Sequence, residues 1–353
     1  MNDIKKEKIL QVLETLYIPE SQKNIVDMNL VSEIFIVQKK VYFSITVPMH
    51  LAKNLEPLRL KAQELVIALP EVKDAIVTLT SDQKINKKTV YNPKPLPGVC
   101  SVIAVASGKG GVGKSTTAVN LALALQNLDL KVAILDADIY GPSLPRLLNI
   151  QGKPEILEGE ILKPMENYNI KVMSIGFLVD EEAALIWRGP MVQSALIKML
   201  KKVNWGQLDI LIVDMPPGTG DAQLTIVQQI SLSGVVIVST PQDLALIDAR
   251  RAVTMFNKVQ VPVLGIVENM SYFIADDTGL YYDIYGRGGA SDEAKRLGVE
   301  FLGALPFDID IRISSDIGMP IFLYKPEKDI VITYQQIASQ IWEKISSGIS
   351  NKI

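Results

Sequence analysis

The most constraining feature of this chain is an eight-residue stretch, Gly108-Lys109-Gly110-Gly111-Val112-Gly113-Lys114-Ser115, set between an apolar run and a helical pattern. Val102–Ala106 reads as a buried strand and Ser115–Leu128 as a helix. A strand that enters a glycine-rich turn and leaves as a helix is the context of a phosphate-binding loop. Glycines let successive backbone N–H groups turn inward around phosphate oxygens. The helix N-terminus adds the positive end of its dipole. Lys114 is placed to reach the β- and γ-phosphates of ATP, and the Ser115 hydroxyl to ligate Mg²⁺. The same residues also spell Gly108-x-Gly110-x-x-Gly113, a dinucleotide fingerprint, with Asp136 roughly 20 residues beyond it. That reading fails on three counts. Lys114-Ser115 has no role in a dinucleotide site, Asp138 adds an acid that ribose recognition does not require, and Asp214 ends another apolar strand, where the acid partner of a phosphate loop lies.

The rest of the C-terminal two thirds repeats strand and helix. Apolar runs at Val132–Leu135, Ile210–Val213, Val235–Val238 and Val263–Val267 alternate with helical stretches such as Leu244–Lys258. Near-continuous apolar strands between helices predict an α/β fold, a parallel sheet covered on both faces. Asp136, Asp138 and Asp214 then fall at the C-terminal edge of the sheet, where ligands bind. Apolar residues at 330, 334, 337, 341 and 345 predict a final helix packed on the core rather than a membrane anchor.

The first 80 residues read differently. A helix over about 4–16, with Ile4, Ile9, Leu13 and Leu16 on one face, precedes strands at Val31–Val37 and Val41–Val47. A helix over Leu51–Leu69 and a strand over Ala75–Leu79 complete a small α+β domain. Residues 81–98, rich in proline and lysine without periodicity, read as a linker with the domain boundary near residue 95. The expected organisation is 1–80, linker 81–98, and 99–353.

Composition excludes several functions. Lys and Arg total 36 against 39 Asp and Glu, a net charge of −3, so neither nucleic acid nor an anionic membrane is the expected partner. One cysteine, Cys100, and one histidine, His50, rule out an internal disulfide and a single-chain Cys/His zinc site. Cys100 is expected to be a small buried residue and His50 an exposed turn residue. The charged N-terminus and the absence of a span-length apolar run point to the cytoplasm.

Lys109, a second lysine inside the loop, stands with Asp136-Ala-Asp-Ile-Tyr-Gly-Pro-Ser143 and Asp214-Met-Pro-Pro-Gly-Thr-Gly-Asp221. Further motifs are Trp187-Arg-Gly-Pro190, Thr240-Pro-Gln242, Glu268-Asn-Met-Ser-Tyr272 and Gly286-x-Gly-Gly289. Together they resemble the deviant-Walker (SIMIBI-type) P-loop ATPases, and among them the Mrp (ApbC-like) iron–sulfur cluster carriers, over residues 100 to 345. The N-terminal unit resembles the MIP18-type domain often fused in front of such ATPases. The resemblance implies a homodimer that hydrolyses ATP and delivers clusters to recipient apoproteins or assembly partners. It implies that Lys109 crosses to the partner subunit's nucleotide, that Asp138 orients the attacking water, that Asp214 holds Mg²⁺ through water, and that Asn269 contacts adenine. The expected nucleotide contacts are Gly108, Lys109, Gly110, Gly111, Val112, Gly113, Lys114, Ser115, Thr116 and Asn269. The expected metal residues are Ser115, Asp136 and Asp214, and the expected catalytic residues Lys109, Lys114, Asp138 and Asp214.

In one respect the chain departs from that family. Its common pattern sets a Cys-x-x-Cys after Glu-Asn-Met-Ser, so that two copies supply four thiolates to a [4Fe–4S] cluster. Here Ala275 and Thr278 occupy those positions, and Pro48-Met49-His50 stands where relatives of the N-terminal domain often carry a cysteine. A [4Fe–4S] cofactor is therefore implied by resemblance alone, and Asp276, Asp277 and Asp283 read as a solvated loop. Two other functions share the loop: a MinD/ParA-type positioning ATPase, which would want a basic surface, and a redox iron protein, which would want more cysteines.

Overall fold

The computed structural model describes residues 6–17, 24–28, 30–32, 34–37, 39–48, 56–82, 93–179, 189–275 and 277–350. The chain divides into two compact units, Met1–Tyr91 and Asn92–Ile353.

In the first unit α1 (Lys6–Leu13) buries Ile9 and Leu13. β1 (Phe35–Val37) pairs antiparallel with β2 (Lys40–Pro48), and β2 pairs parallel with β3 (Asp74–Asp82). Parallel neighbours need a crossover, supplied here by α2 (Glu56–Ile67). Its buried residues Leu58, Ala62 and Val66 recur every four positions, one stripe against the sheet. Along β2, Val41, Phe43 and Ile45 are buried while Tyr42, Ser44 and Thr46 are half-buried, the period-2 pattern of a one-sided sheet. The strand expected over Val31–Val37 is shorter: its ladder covers Phe35–Val37, and Val31 makes only an isolated bridge to Ile45. Ile4, His50 and residues 51–55 lie outside the described residues.

The second unit runs β4 (Val99–Ala106), α3 (Lys114–Gln126), β5 (Val132–Asp136), α4 (Leu144–Leu147), β6 (Ile156–Leu157), β7 (Ile161–Leu162), β8 (Met165–Asn167) and β9 (Ile170–Ser174). It continues with α5 (Gly189–Lys201), β10 (Leu208–Asp214), α6 (Asp221–Gln229), β11 (Gly234–Ser239), α7 (Asp243–Lys258), β12 (Val263–Glu268), β13 (Phe273–Ile274) and β14 (Tyr281–Tyr282). It ends with α8 (Gly289–Leu297), β15 (Phe301–Ala304), α9 (Ile309–Ile317), α10 (Ile321–Tyr324) and α11 (Asp329–Ser350). Eight strands form one sheet in the order β15-β12-β11-β4-β10-β5-β9-β8, parallel except at β8. β5, β10 and β11 are buried almost end to end, as strands covered on both faces must be. α3 is buried from Thr117 through Leu125, packed against β5, β10 and α11. Ile330, Tyr334, Ile337, Ile341 and Ile345 of α11 are all buried, so the final apolar stripe is core packing. Among the described residues no helix is long and apolar enough to cross a membrane.

Two expectations are corrected. The linker is shorter at both ends than its composition suggests. β3 runs on to Asp82, Lys94 bridges to Ile230, and Leu96 is buried in the second unit's core. Proline and lysine report a lack of periodicity, not a lack of contacts. Cys100 is exposed, not buried. It is the second residue of β4, at the strand end opposite the loop, and it is the one exposed position in that strand.

Candidate functional site

β4 delivers the chain into Ser107, which is fully buried, and the Ser107 hydroxyl donates to the Lys109 carbonyl at 2.8 Å. Gly111 and Gly113 take left-handed φ values of 82° and 81°, closed to most L residues. A Cβ on Gly108 would sit 2.1 Å from the Asp248 carbonyl carbon, so α7 presses directly on the loop. Gly110 and Gly111 face open space, with nothing within 4 Å of an added Cβ. The loop thus backs onto protein on one side and opens on the other, and α3 begins at Lys114 with its first N–H groups free for an anion.

The side chains behind the loop form one electrostatic unit. Strand order places β10 between β4 and β5, which sets Asp214 beside Asp136 in register. Lys114 Nζ lies 2.5 Å from Asp214 Oδ1 and 3.2 Å from Ser115 Oγ. Burial pushes the Asp214 carboxyl up, opposed by Lys114 and by the Ser115 hydroxyl. Asp214 Oδ2 is buried without a hydrogen-bond partner. Asp136 is a hub instead. Its Oδ2 accepts from the Ser143 and Leu144 N–H groups and from Ser174 Oγ at 3.0–3.2 Å, and its Oδ1 accepts from the Asp138 N–H at 3.2 Å. Burial, and then the Asp214 charge, push the Asp136 carboxyl up to about 7, offset by the Leu144 N–H and Ser174. Through these bonds Asp136 organises the 136–144 segment, and its Oδ1 accepts only the one N–H among the described residues. Asp138 is half-buried, accepts from the Gly141 N–H at 3.3 Å, and is also pushed up, first by burial.

The remaining expected residues divide. Val112 is buried, and its carbonyl accepts from Asn269 Nδ2 at 2.8 Å, so Asn269 braces the loop from the end of β12. Thr116 is half-buried and its carbonyl accepts from Asn120. The Lys109 ammonium makes no hydrogen bond or ion pair with another described residue. Ala275 and Thr278 lie in the turn of the β13–β14 hairpin, closed by Gly279 N–H to Ala275 carbonyl at 2.8 Å. Asp277 and Asp283 are exposed. No group of three or more His, Cys, Asp or Glu among the described residues is arranged to hold a metal ion. Trp187, Arg188 and Asp276 lie outside the described residues.

Two residues of this site carried no role in the sequence reading. Glu268, fully buried, accepts from Ser271 Oγ at 2.5 Å and from the Gly288 and Ala290 N–H groups at 3.0 and 2.7 Å. It thereby ties β12 to the start of α8 and closes the 271–287 excursion, whose signal was the pairing of Glu268 with the Gly-rich 286–289 run. Gln223 donates to the Pro216 carbonyl at 2.7 Å and so holds the segment after Asp214.

Gly113 gives a direct check on this geometry. Alanine there would meet a positive φ and place its Cβ 2.1 Å from Asn269 Nδ2. Gly113→Ala is expected to cost about 1–3 kcal/mol of stability, read from denaturant midpoints, and to weaken nucleotide binding through the displaced Asn269 brace.

Comparison with known proteins then gives a family. The model of the NUBPL iron-transfer P-loop NTPases (ParA) matches residues 98–342, and that of an iron–sulfur cluster assembly protein matches residues 6–79. The "Iron-sulfur protein required for NADH dehydrogenase, mitochondrial" of Arabidopsis thaliana is 53% identical over 70% of this chain and 79% of its own length. The "Iron-sulfur cluster carrier protein" of a Synechocystis species is 42% identical over 96% of this chain and 97% of its own. Among solved structures, a nucleotide-binding protein of Archaeoglobus fulgidus in complex with ADP aligns at TM-score 0.58 and 40% identity, covering 66% of this chain and 91% of that one.

Proposed function

The chain belongs to the NUBPL iron-transfer P-loop NTPase family, and from that premise we propose that it hydrolyses Mg-ATP between two copies of itself and uses the cycle to pass iron–sulfur clusters to recipient apoproteins. The observation that carries the reading is the Lys114–Asp214 pair behind the open loop, with Asp214 Oδ2 buried and unsatisfied. A buried orphan oxygen beside a serine hydroxyl suits a hard cation that prefers oxygen ligands. Ser115 would hold Mg²⁺ directly and Asp214 through water. Phosphate oxygens would replace Asp214 as the partner of Lys114, releasing that carboxylate toward the metal. Bound Mg²⁺ would neutralise charge on the β- and γ-phosphates. Asp138, half-buried and near the same cluster, would orient the attacking water. Lys109, whose ammonium has no partner among the described residues, would complete the partner's site. Asn269, already at the loop, would reach the base.

The cluster is cargo on this reading, and its ligands come from outside the chain. Thiolate suits cluster iron far better than carboxylate. Two copies offer two exposed Cys100 thiols, set at the strand end opposite the loop, about 25 Å away at roughly 3.3 Å per residue. We expect reconstitution of the purified protein without added thiol to leave little iron after gel filtration, in the parent and in Cys100→Ala alike. A stable stoichiometric [4Fe–4S] cluster on the parent would refute this. The positioning-ATPase alternative keeps the fold and the loop lysine, but the relatives above are named for iron–sulfur work, and the near-balanced charge supplies no basic surface.

A further inference from the structure

Lys109 stands between Gly108 and Gly110, so the backbone on either side of it has the widest freedom that any residue allows. A long side chain on such a pivot can point in many directions, and ordering it in one of them is entropically costly. The fold removes part of that freedom before any ligand arrives. On one side Gly108 is wedged against α7, where an added Cβ would lie 2.1 Å from the Asp248 carbonyl carbon. On the other side Gly110 and Gly111 have nothing within 4 Å of an added Cβ and supply no such restraint. There the restraint comes from Ser107, whose hydroxyl reaches forward two residues and donates to the Lys109 carbonyl at 2.8 Å.

The surroundings of Ser107 suit it to that task. It has no exposed surface, so water does not compete for its hydroxyl. Its own carbonyl accepts from the Gly218 N–H at 3.0 Å, and the Val105 carbonyl accepts from the Met215 N–H at 3.0 Å. These two bonds fasten the end of β4 to the segment that follows Asp214, so the hydroxyl starts from an anchored backbone. Being buried and committed to a carbonyl, it is not placed to touch a phosphate. The Lys109 ammonium makes no hydrogen bond or ion pair with a described residue, so within the subunit its direction is set by the backbone that carries it. With Gly108 wedged behind and the carbonyl held in front, that backbone has little room to turn.

We propose that Ser107 is the positioning residue of Lys109: acting through the Lys109 carbonyl, its hydroxyl aims the ammonium away from its own loop and toward the nucleotide of a second copy, a role that rests on the reading of Lys109 given under the proposed function. Ser107 touches neither nucleotide nor metal. Its effect on hydrolysis passes entirely through the lysine.

The test is ATP turnover of the full chain, with ADP affinity measured on the same variants. Ser107→Ala should lower kcat about tenfold, or about 1.4 kcal/mol, the size of one neutral hydrogen bond. KM and ADP affinity should stay within about twofold of the parent, because the loop still cradles the phosphates. Two comparisons separate aiming from general support of the loop. Lys109→Ala keeps the carbonyl at position 109, and with it the Ser107 bond, but has no ammonium to aim. Adding Ser107→Ala to that variant should lower turnover by less than about twofold further. Because Lys109 acts on the other copy, adding Lys114→Ala chains, inactive alone, should raise the turnover of Ser107→Ala. In that mixed dimer the site that keeps Lys114 receives a correctly aimed lysine from the other chain. Ser107→Cys, nearly equal in volume but a weak donor, should fall between the parent and Ser107→Ala, and replaces it if the alanine variant folds poorly. Parent-like kcat in Ser107→Ala would overturn the proposal. An equal tenfold loss in the Lys109→Ala background would also overturn it, since the bond would then support the loop's shape. So would mixed dimers no more active than Ser107→Ala alone, which would confine the effect to its own subunit. Parent-like turnover by Lys109→Ala would instead remove the reading on which the role of Ser107 rests.

Discussion

Lys114→Ala is expected to abolish Mg-ATP hydrolysis, lowering turnover by at least about 10²–10³-fold as the phosphates lose their main buried cation. The structure adds a second consequence. Lys114 is the counter-charge of Asp214, which has no exposed surface. Removing one member of a buried pair costs about 3–5 kcal/mol, part of which the carboxyl escapes by taking up a proton. The variant should therefore melt well below the parent, and more so at high pH, where Asp214 must stay charged. Adding Asp214→Asn should restore much of the melting temperature, because the orphaned charge is gone, yet restore no hydrolysis. Turnover measured beside thermal melts separates the two effects. Parent-like hydrolysis by folded Lys114→Ala would remove the phosphate-loop assignment.

The second large effect is expected at Lys109. Its backbone carbonyl is held by Ser107, but its ammonium has no partner among the described residues of its own subunit. Lys109→Ala should leave ATP binding and stability nearly unchanged, because no intrasubunit contact is lost. It should lower hydrolysis on the order of 10²–10³-fold and weaken ATP-dependent dimerisation. Mixing separates a contribution across subunits from one within a subunit. In a dimer of one Lys109→Ala and one Lys114→Ala chain, the site that keeps Lys114 receives an intact Lys109 from the other subunit. Random pairing of equal amounts makes half the dimers mixed, each with one complete site, so about a quarter of parent activity should return. Turnover by Lys109→Ala alone at the parent rate would end the idea that this lysine acts at all.

The elements that were legible in the sequence are those set by local chemistry. The glycine spacing of 108–113 required left-handed turns, and Gly111 and Gly113 adopt them. The apolar runs gave β2, β5, β10, β11 and β12 within two residues of their observed limits, while β1, β3 and β4 differ by three or four at one end, and the 330–345 stripe gave a helix with all five of its apolar positions buried. Periodicity and turn conformation depend on neighbours a few residues away, so one chain suffices to read them. The hairpin strands β13 and β14, two residues each, are too short to leave a period.

What the chain order alone could not supply is which side chains meet. Inserting β10 between β4 and β5 brings Asp214 to Lys114 across 100 positions of sequence and to Asp136 in the next strand. Which backbone N–H groups reach Asp136, and whether Cys100 is covered, follow from what packs there. Glu268 acquired its part only when the start of α8 came within hydrogen-bond reach. Short-range residue order set the phosphate loop and the alternation of strand and helix, and composition set the lack of cysteine ligands for a cluster. The tertiary structure alone decided the pairing of buried charges, because burial and Coulomb attraction depend on distance in space, which strand order sets and sequence separation does not.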